Sequence, residues 1–336
     1  MKRLLIGYLV LFTVFFIYIY NYHLKDTITS SYADNQENQF RGDINEKYVM
    51  LTFQSGIEYW KSAIKGFEDA ANELNVSVEY RGATQYDVHE QMTVLEQVIA
   101  KKPDGIALSA MDPFALNSTI NKAIEAGIPV ILFDSDAPAS NAHTFLGTNN
   151  YSAGNASADK MAELLKGKGK VAVITLPNQL NHIERTEGFI ETVQKKYPGM
   201  EVVAIEDGKG DQLRSKLVTE KILKEYPNIR GIFATEANGG VGITSAIESI
   251  KKTEEIKVIS FDTDKQTLDK IKEDAIAATI AQGTWNMGYW SLQILFKNNH
   301  GITSTEKMDN SKQFPAYIDT GITIVSKENV EDFYAD

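Results

Sequence analysis

Two stretches of this chain decide its fold: Ile128-Pro-Val-Ile-Leu-Phe-Asp134-Ser-Asp136 and Ile256-Lys-Val-Ile-Ser-Phe-Asp262-Thr-Asp264. Each is a short apolar run that reads as a buried strand and ends on acidic residues. Each follows a helical pattern and lies a little under thirty residues after another apolar strand, Gly105–Ala110 in one case and Gly231–Glu236 in the other. Two similar α/β units follow. Ligands of parallel sheets bind at the carboxyl ends of the strands, where side chains leave the sheet and face the crevice. Matching acidic strand ends therefore imply two lobes facing one polar ligand.

Outward from these strands, alternation is steady from Tyr48 onward. Strands are predicted at Val49–Phe53, Val76–Tyr80, Gly105–Ala110 and Pro129–Phe133. Between them, Trp60, Ala63, Ile64, Phe67, Ala70, Ala71 and Leu74 form the apolar stripe of an amphipathic helix. Further helices are predicted at Val88–Ala100 and Phe114–Ala126, after which Phe145-Leu-Gly-Thr148 leads to a helix over Tyr151–Leu165. The second half repeats the plan, with strands near Lys170–Thr175, Glu201–Ile205, Gly231–Thr235 and Ile256–Phe261. Its helices fall near His182–Tyr197, Gln212–Tyr226, Gly239–Ile250 and Lys265–Glu273. A strand Ala277–Ala281, a helix Trp285–Phe296 and a terminal strand pair around Tyr317–Val325 follow, and this tail is expected to pack back on the first lobe. The fold class is α/β: two doubly wound parallel-sheet lobes joined by a multi-strand hinge. The expected boundaries are 47–149 plus 283–314 for the first lobe and 150–282 plus 315–336 for the second.

At 336 residues the chain suits two α/β domains. The net charge of −11 argues against nucleic acid, which needs clustered Lys and Arg. There is no cysteine, which removes disulfides, thiolate catalysis and Cys-ligated metals together. Lys2-Arg3 precede an uncharged run from Leu4 to Tyr20, long enough to reach nearly across a bilayer core. Residues 1–24 are read as a transmembrane anchor or signal, with the basic pair holding the N-terminus in the cytoplasm. A cleavage site near the run is lacking, the nearest candidate being Ser31-Tyr32-Ala33. That favours a retained anchor and an extracytoplasmic body. Residues 25–46 are read as a linker.

Several residues could meet the ligand. Tyr59 and Trp60 stand at the start of the first helix, on the cleft rim, and aromatic faces suit the C–H faces of a sugar. Trp60 also begins the apolar stripe. Asp134 and Asp262 close the two apolar strands, with Asp136 and Asp264 left to serve as turn or cap residues. A carboxylate can accept two bonds from adjacent hydroxyls, and such charge-assisted bonds are strong. Arg185 is read as opening a helix, where its charge opposes the macrodipole and calls for cleft carboxylates nearby. Glu236 and Gln282 each end a strand on the same side as Asp262.

These residues carry a resemblance. The body, from about Tyr48 to Val325, resembles the type I periplasmic sugar-binding proteins of the ribose, galactose and xylose group, whose fold is shared by LacI-type repressors. The shared motifs are Tyr59-Trp60, Pro129-Val-Ile-Leu-Phe-Asp134, Glu184-Arg185-x-x-Gly188-Phe189, Ile256-x-Val-x-x-Phe-Asp262 and Ala277-Ala-Thr-Ile-Ala-Gln282. The resemblance implies that Tyr59 and Trp60 stack on a sugar ring and that Asp134, Arg185, Asp262 and Gln282 bond its hydroxyls, with Ser109 at a polar contact position. It also implies a pentose such as xylose, or a hexose, and no cofactor. Three positions depart from the family pattern: Ser135 where ribose-binding members carry Arg, Glu236 where many carry Asn, and Gly210 near a second-lobe aromatic position. Ribose is disfavoured by them.

Asp134, Asp262 and Glu236 against Arg185 leave the cleft negative by two, so an amino sugar or other cationic polyol is the alternative ligand class. An enzyme lacks support: the five histidines are scattered, and no phosphate-binding glycine motif or nucleophile elbow occurs. Paired carboxylates leave a glycosidase as the remaining catalytic reading. A repressor would need a basic N-terminal helix pair in place of Leu4–Tyr20. As a binding protein the chain would either deliver sugar to an ABC permease or present its closed form to a sensor histidine kinase. Membrane-anchored xylose-binding co-sensors of clostridia are similar in plan.

Overall fold

The computed structural model describes Phe15 and residues 41–177, 179–302 and 315–334. The expected membrane segment, residues 4–20, lies outside the described residues apart from Phe15. No helix among the described residues is long and apolar enough to cross a membrane.

The first lobe is built from β1 (Lys47–Thr52), α1 (Trp60–Leu74), β2 (Ser77–Gly82), α2 (Val88–Ala100), β3 (Gly105–Leu108), α3 (Asn117–Glu125), β4 (Val130–Phe133) and β5 (Phe145–Gly147). The second contains α4 (Asn150–Leu165), β6 (Gly169–Thr175), α5 (Leu180–Lys196), β7 (Met200–Asp207), α6 (Gln212–Glu225) and β8 (Ile229–Ala234). It continues with α7 (Ala237–Ser249), β9 (Lys257–Phe261), α8 (Lys265–Lys272) and β10 (Ala278–Gln282). The chain then returns through α9 (Thr284–Asn299), β11 (Tyr317–Asp319) and β12 (Ile322–Val325).

The two sheets run β11-β5-β4-β3-β1-β2 and β12-β10-β9-β8-β6-β7, so β4 and β9 hold the same place in each. The first sheet is parallel throughout, and only β12 runs antiparallel in the second. Both faces of each sheet are covered. In the first lobe Trp60, Phe67 and Leu295 pack on one face and Leu95, Ile120 and Leu132 on the other. Ile232, Ile243 and Leu268 do so on one side of the second sheet, and Met161, Phe189 and Phe261 on the other. Burial on both faces is why these strands read as continuous apolar runs.

Three differences from the sequence reading have physical causes. The short strand β5 is too brief for a periodic signal, yet it carries the backbone acceptors that hold β4 in place. The terminal strands are not a pair: β11 aligns with β5 in the first sheet and β12 with β10 in the second. The return segment of the second lobe, expected from 315, joins the second sheet only at β12, because Tyr317–Asp319 pair with β5 of the first sheet before the chain crosses. Of the tail expected to pack on the first lobe, α9 does so against α1 and β11 joins its sheet, while β10 and β12 belong to the second.

Three segments cross between the lobes among the described residues: after β5, after β10 and between β11 and β12. They are stitched together where they meet. Thr320 N–H donates to the Gly147 carbonyl at 3.0 Å, Gly283 N–H to the Gly321 carbonyl at 3.2 Å, and Asn149 N–H to Asp319 Oδ1 at 3.2 Å.

Candidate functional site

The cleft between the lobes has a volume of about 830 Å³ and is bordered by the carboxyl ends of both sheets. Asp134 follows β4 and Asp262 follows β9, and both adopt left-handed backbone, with φ of +61° and +64°. Asp is one of the few residues that accept this conformation at low cost, because its short side chain bonds locally. The turn swings each carboxyl off the strand end. Asp134 N–H donates to the Leu146 carbonyl at 2.9 Å and Asp262 N–H to the Ile280 carbonyl at 2.8 Å, so a neighbouring strand fixes each corner.

A chain of side chains joins the two corners. Tyr59 O–H donates to Asp134 Oδ1. Gln282 Nε2 donates to the Tyr59 oxygen at 3.0 Å and to Asp262 Oδ1 at 2.7 Å. Asp134 and Tyr59 belong to the first lobe, Asp262 and Gln282 to the second. Ser109 Oγ donates to Asp134 Oδ2 at 3.3 Å from full burial, and the Ser109 carbonyl accepts from Gln91 Nε2 at 2.8 Å. Ser109 thus orients the aspartate from beneath and does not border the cleft.

Arg185 stands in the second turn of α5, later than the helix start expected from the sequence, and is 2% exposed. Its hydrogen bonds go to neutral acceptors: Nε to Asn150 Oδ1 at 2.9 Å, one terminal nitrogen to the Thr235 carbonyl at 2.9 Å and the other to Gln282 Oε1 at 3.1 Å. The guanidinium carbon lies 3.6 Å from the Phe261 ring centre, a stacked arrangement that suits its flat cation. The cleft carboxylates expected near Arg185 are there, and they act on it through space. Burial lowers its pKa, while Asp262 and Asp134 favour its charge. Two close contacts within one helix pair, α4 against α5, hold the frame. A Cβ on Gly154 of α4 would meet the Arg185 carbonyl at 2.1 Å, and one on Gly188 would meet the Tyr151 carbonyl at 2.1 Å. The Gly188 of the quoted motif is therefore a helix-contact residue that seats Arg185.

Trp60 does not border the cleft. It is fully buried among Phe53, Tyr59 and Phe133, and Nε1 donates to the Gln54 carbonyl at 2.8 Å. Its place at the head of the apolar stripe outweighs its place on the rim, and it supports Tyr59 edge-on. Glu236 does border the cleft while also capping α7, accepting from Asn238 N–H at 2.8 Å. Asp136 serves its turn, Oδ1 accepting from Ala137 N–H at 2.7 Å. Asp264 holds the cap position of α8 without a side-chain cap bond and faces the cleft, against the expectation that it would be occupied as a cap. Other cleft residues lack an individual sequence signal, such as Tyr86 and Gln179. Gln179 Nε2 donates to Tyr86 O–H across the cleft mouth at 2.6 Å.

Burial dominates the electrostatics. It pushes Glu236 up to about 7, Asp262 up to about 6 and Asp264 up to about 6, and raises Asp134 against the pull of Tyr59 and Arg185. Part of the acidic surplus is thus met by protons. Tyr59 is driven well above the ordinary phenol value by burial and by Asp134, so it remains a donor. Among the described residues no group of side chains is arranged to hold a metal ion.

A two-lobed α/β receptor, with a polar cleft at paired strand ends and a three-segment hinge, is the class that fold and site define. Residues 48–300 match the periplasmic binding protein domain family, and the chain belongs to it. The arabinose-binding protein AraP of Geobacillus stearothermophilus is 65% identical, with a TM-score of 0.82 over 86% of this chain and 99% of that one. A sugar ABC transporter sugar-binding protein from Bacillus halodurans is 62% identical, with a TM-score of 0.83 over 86% and 100%. The ribose import binding protein of Bacillus subtilis is 28% identical over 67% of this chain and 72% of its own length.

Proposed function

We propose that this chain is an extracytoplasmic receptor that closes on a monosaccharide, a pentose of the arabinose type first, and hands it to an ABC permease. The observation that carries the reading is the pair Asp134 and Asp262, turned into one cleft from equivalent corners of the two lobes and joined through Tyr59 and Gln282. A polyhydroxylated ring offers donors to both carboxylates and acceptors to Arg185 and Gln282. The arabinose-binding relative supports the pentose, and the departures at Ser135 and Glu236 speak against ribose. Residues 4–20 would tether the body to the membrane with the N-terminus inside. A retained tether also suits presentation of the closed form to a sensor histidine kinase. Copurification of a permease or a kinase with the full chain from membranes separates these two partners.

Closure stabilises the ligand-bound state only by as much as the closed form binds sugar better than the open one. No step of the site breaks a bond, so the sugar is recovered unchanged. A thermal-shift screen over L- and D-arabinose, xylose, ribose, hexoses, polyols and amino sugars tests the reading: a pentose should give the largest rise in melting temperature. The acidic surplus favours an amino sugar as the second reading, and a larger rise with an amine than with its neutral parent would establish it.

A further inference from the structure

His182 lies one helical turn before Arg185 on α5, and both side chains reach Thr235 at the end of β8. The imidazole is 5% exposed and borders the cleft beside Gln179, Asn181 and Glu236. Nδ1 is 3.0 Å from Thr235 Oγ1. The protons of the surrounding hydroxyls are all accounted for: Thr186 Oγ1 donates to the His182 carbonyl at 2.8 Å, Thr175 Oγ1 to the same carbonyl at 3.4 Å, and Thr235 Oγ1 to Thr175 Oγ1 at 3.1 Å. Thr235 Oγ1 has then only lone pairs to offer the ring, so Nδ1 carries the hydrogen. Burial and the Arg185 cation push the imidazole well below its ordinary pKa, and the ring is neutral. A neutral ring with hydrogen on Nδ1 has an acceptor at Nε2. That nitrogen makes no hydrogen bond among the described residues. Unlike the orphaned hydroxyls of Ser215, Ser260 and Thr267, it is not sealed from the cleft.

We infer that His182 is a ligand-specificity residue whose Nε2 accepts a hydrogen bond from one hydroxyl of the bound sugar. The inference rests on the sugar-binding reading and assigns one more contact to that site. An acceptor with no donor of its own makes the matching hydroxyl obligatory, because an analogue lacking it leaves the nitrogen desolvated and unpaired. The threonine cluster holds the ring rigid, so it cannot turn to another partner.

Calorimetry with L-arabinose and its monodeoxy analogues tests this on the wild-type protein, His182→Asn and His182→Gln. Asn places its amide near the Nδ1 position and keeps the Thr235 bond, but has no atom where Nε2 stood. Gln reaches that place with an oxygen. The wild type should bind one deoxy analogue about tenfold more weakly than L-arabinose. His182→Asn should lose about tenfold in L-arabinose affinity and no longer distinguish that analogue, while His182→Gln should retain the distinction. If His182→Asn weakens every sugar alike and keeps the wild-type ranking, the residue only positions Arg185 and the inference is overturned. Unchanged affinity in His182→Asn overturns it as well. Wild-type protein that ignores every pentose removes the sugar reading itself, and this result is seen before any variant is compared.

Discussion

Asp134 and Asp262 are the same corner built twice: each ends the second inner strand of its sheet, each turns with φ near +60°, and each is pinned by an N–H bond to the next strand. Replacing either by Asn keeps a residue that tolerates the turn and removes the charge. Sugar affinity should fall by about 1.5–3 kcal/mol in each variant, the worth of a hydrogen bond to a charged group. Calorimetry with arabinose reads this directly. Ala in place of Asn should add a loss of fold stability of about 1 kcal/mol from the left-handed backbone.

Trp60 and Tyr59 are adjacent but face opposite fates. Trp60→Phe should lower the melting temperature markedly, by an unfolding cost of about 1–3 kcal/mol, because it opens space in a packed aromatic cluster. Its sugar affinity should stay within a few fold. Tyr59→Phe should do the reverse, leaving stability near wild type and weakening binding, since the lost hydroxyl belongs to the bridge between the lobes. Paired thermal melts and titrations of both variants distinguish core from cleft.

Gly154 and Gly188 set the approach of α4 and α5 under Arg185. Gly154→Ala inserts a methyl into the Arg185 carbonyl and should cost about 1–3 kcal/mol of stability. Arabinose binding should weaken too, because the guanidinium moves with its helix. Denaturant unfolding and calorimetry on the same variant check both. Loss of stability with native affinity would uncouple the helix pair from the site.

The buried carboxyls give a pH dependence with a definite sign. Glu236, Asp262 and Asp264 have folded pKa values raised above their unfolded ones, so between the two values the native state holds more protons. Stability of the sugar-free protein should therefore fall as pH rises from about 4.5 to about 7. The carboxyls with lowered values, such as Glu46 and Glu79, lose their stabilising effect below that window, and buried neutral His182 opposes the fall with one site against three. Melting curves across this range should slope downward, and Glu236→Gln should flatten the upper part. A steady rise would contradict the assigned burial.

Much of this was legible in the sequence because doubly covered parallel strands leave unbroken apolar runs, and the acidic residues at their ends stand out against them. The duplicated Phe-Asp-x-Asp ending located Asp134 and Asp262 without any structure. Trp60 misled because a residue at a helix start can face either rim or core, and only the packing of Phe53 and Phe133 around it decides. The short β5 and the split of β11 from β12 carry too few residues for periodicity and are set by pairing partners far away in the chain. His182 had one faint signal, its spacing of three from Arg185, which puts both on one face of α5. The acceptor role of its Nε2 depends on three threonines from separate elements, a constellation no local pattern contains.

The most direct test of the grip between the two lobes is small-angle scattering of the purified protein with and without arabinose, run beside the Asp134→Asn, Asp262→Asn double variant. The wild type should contract on adding sugar, and the double variant should keep one radius of gyration throughout. A double variant that contracts like wild type, or a wild type that binds arabinose without moving, would contradict the account.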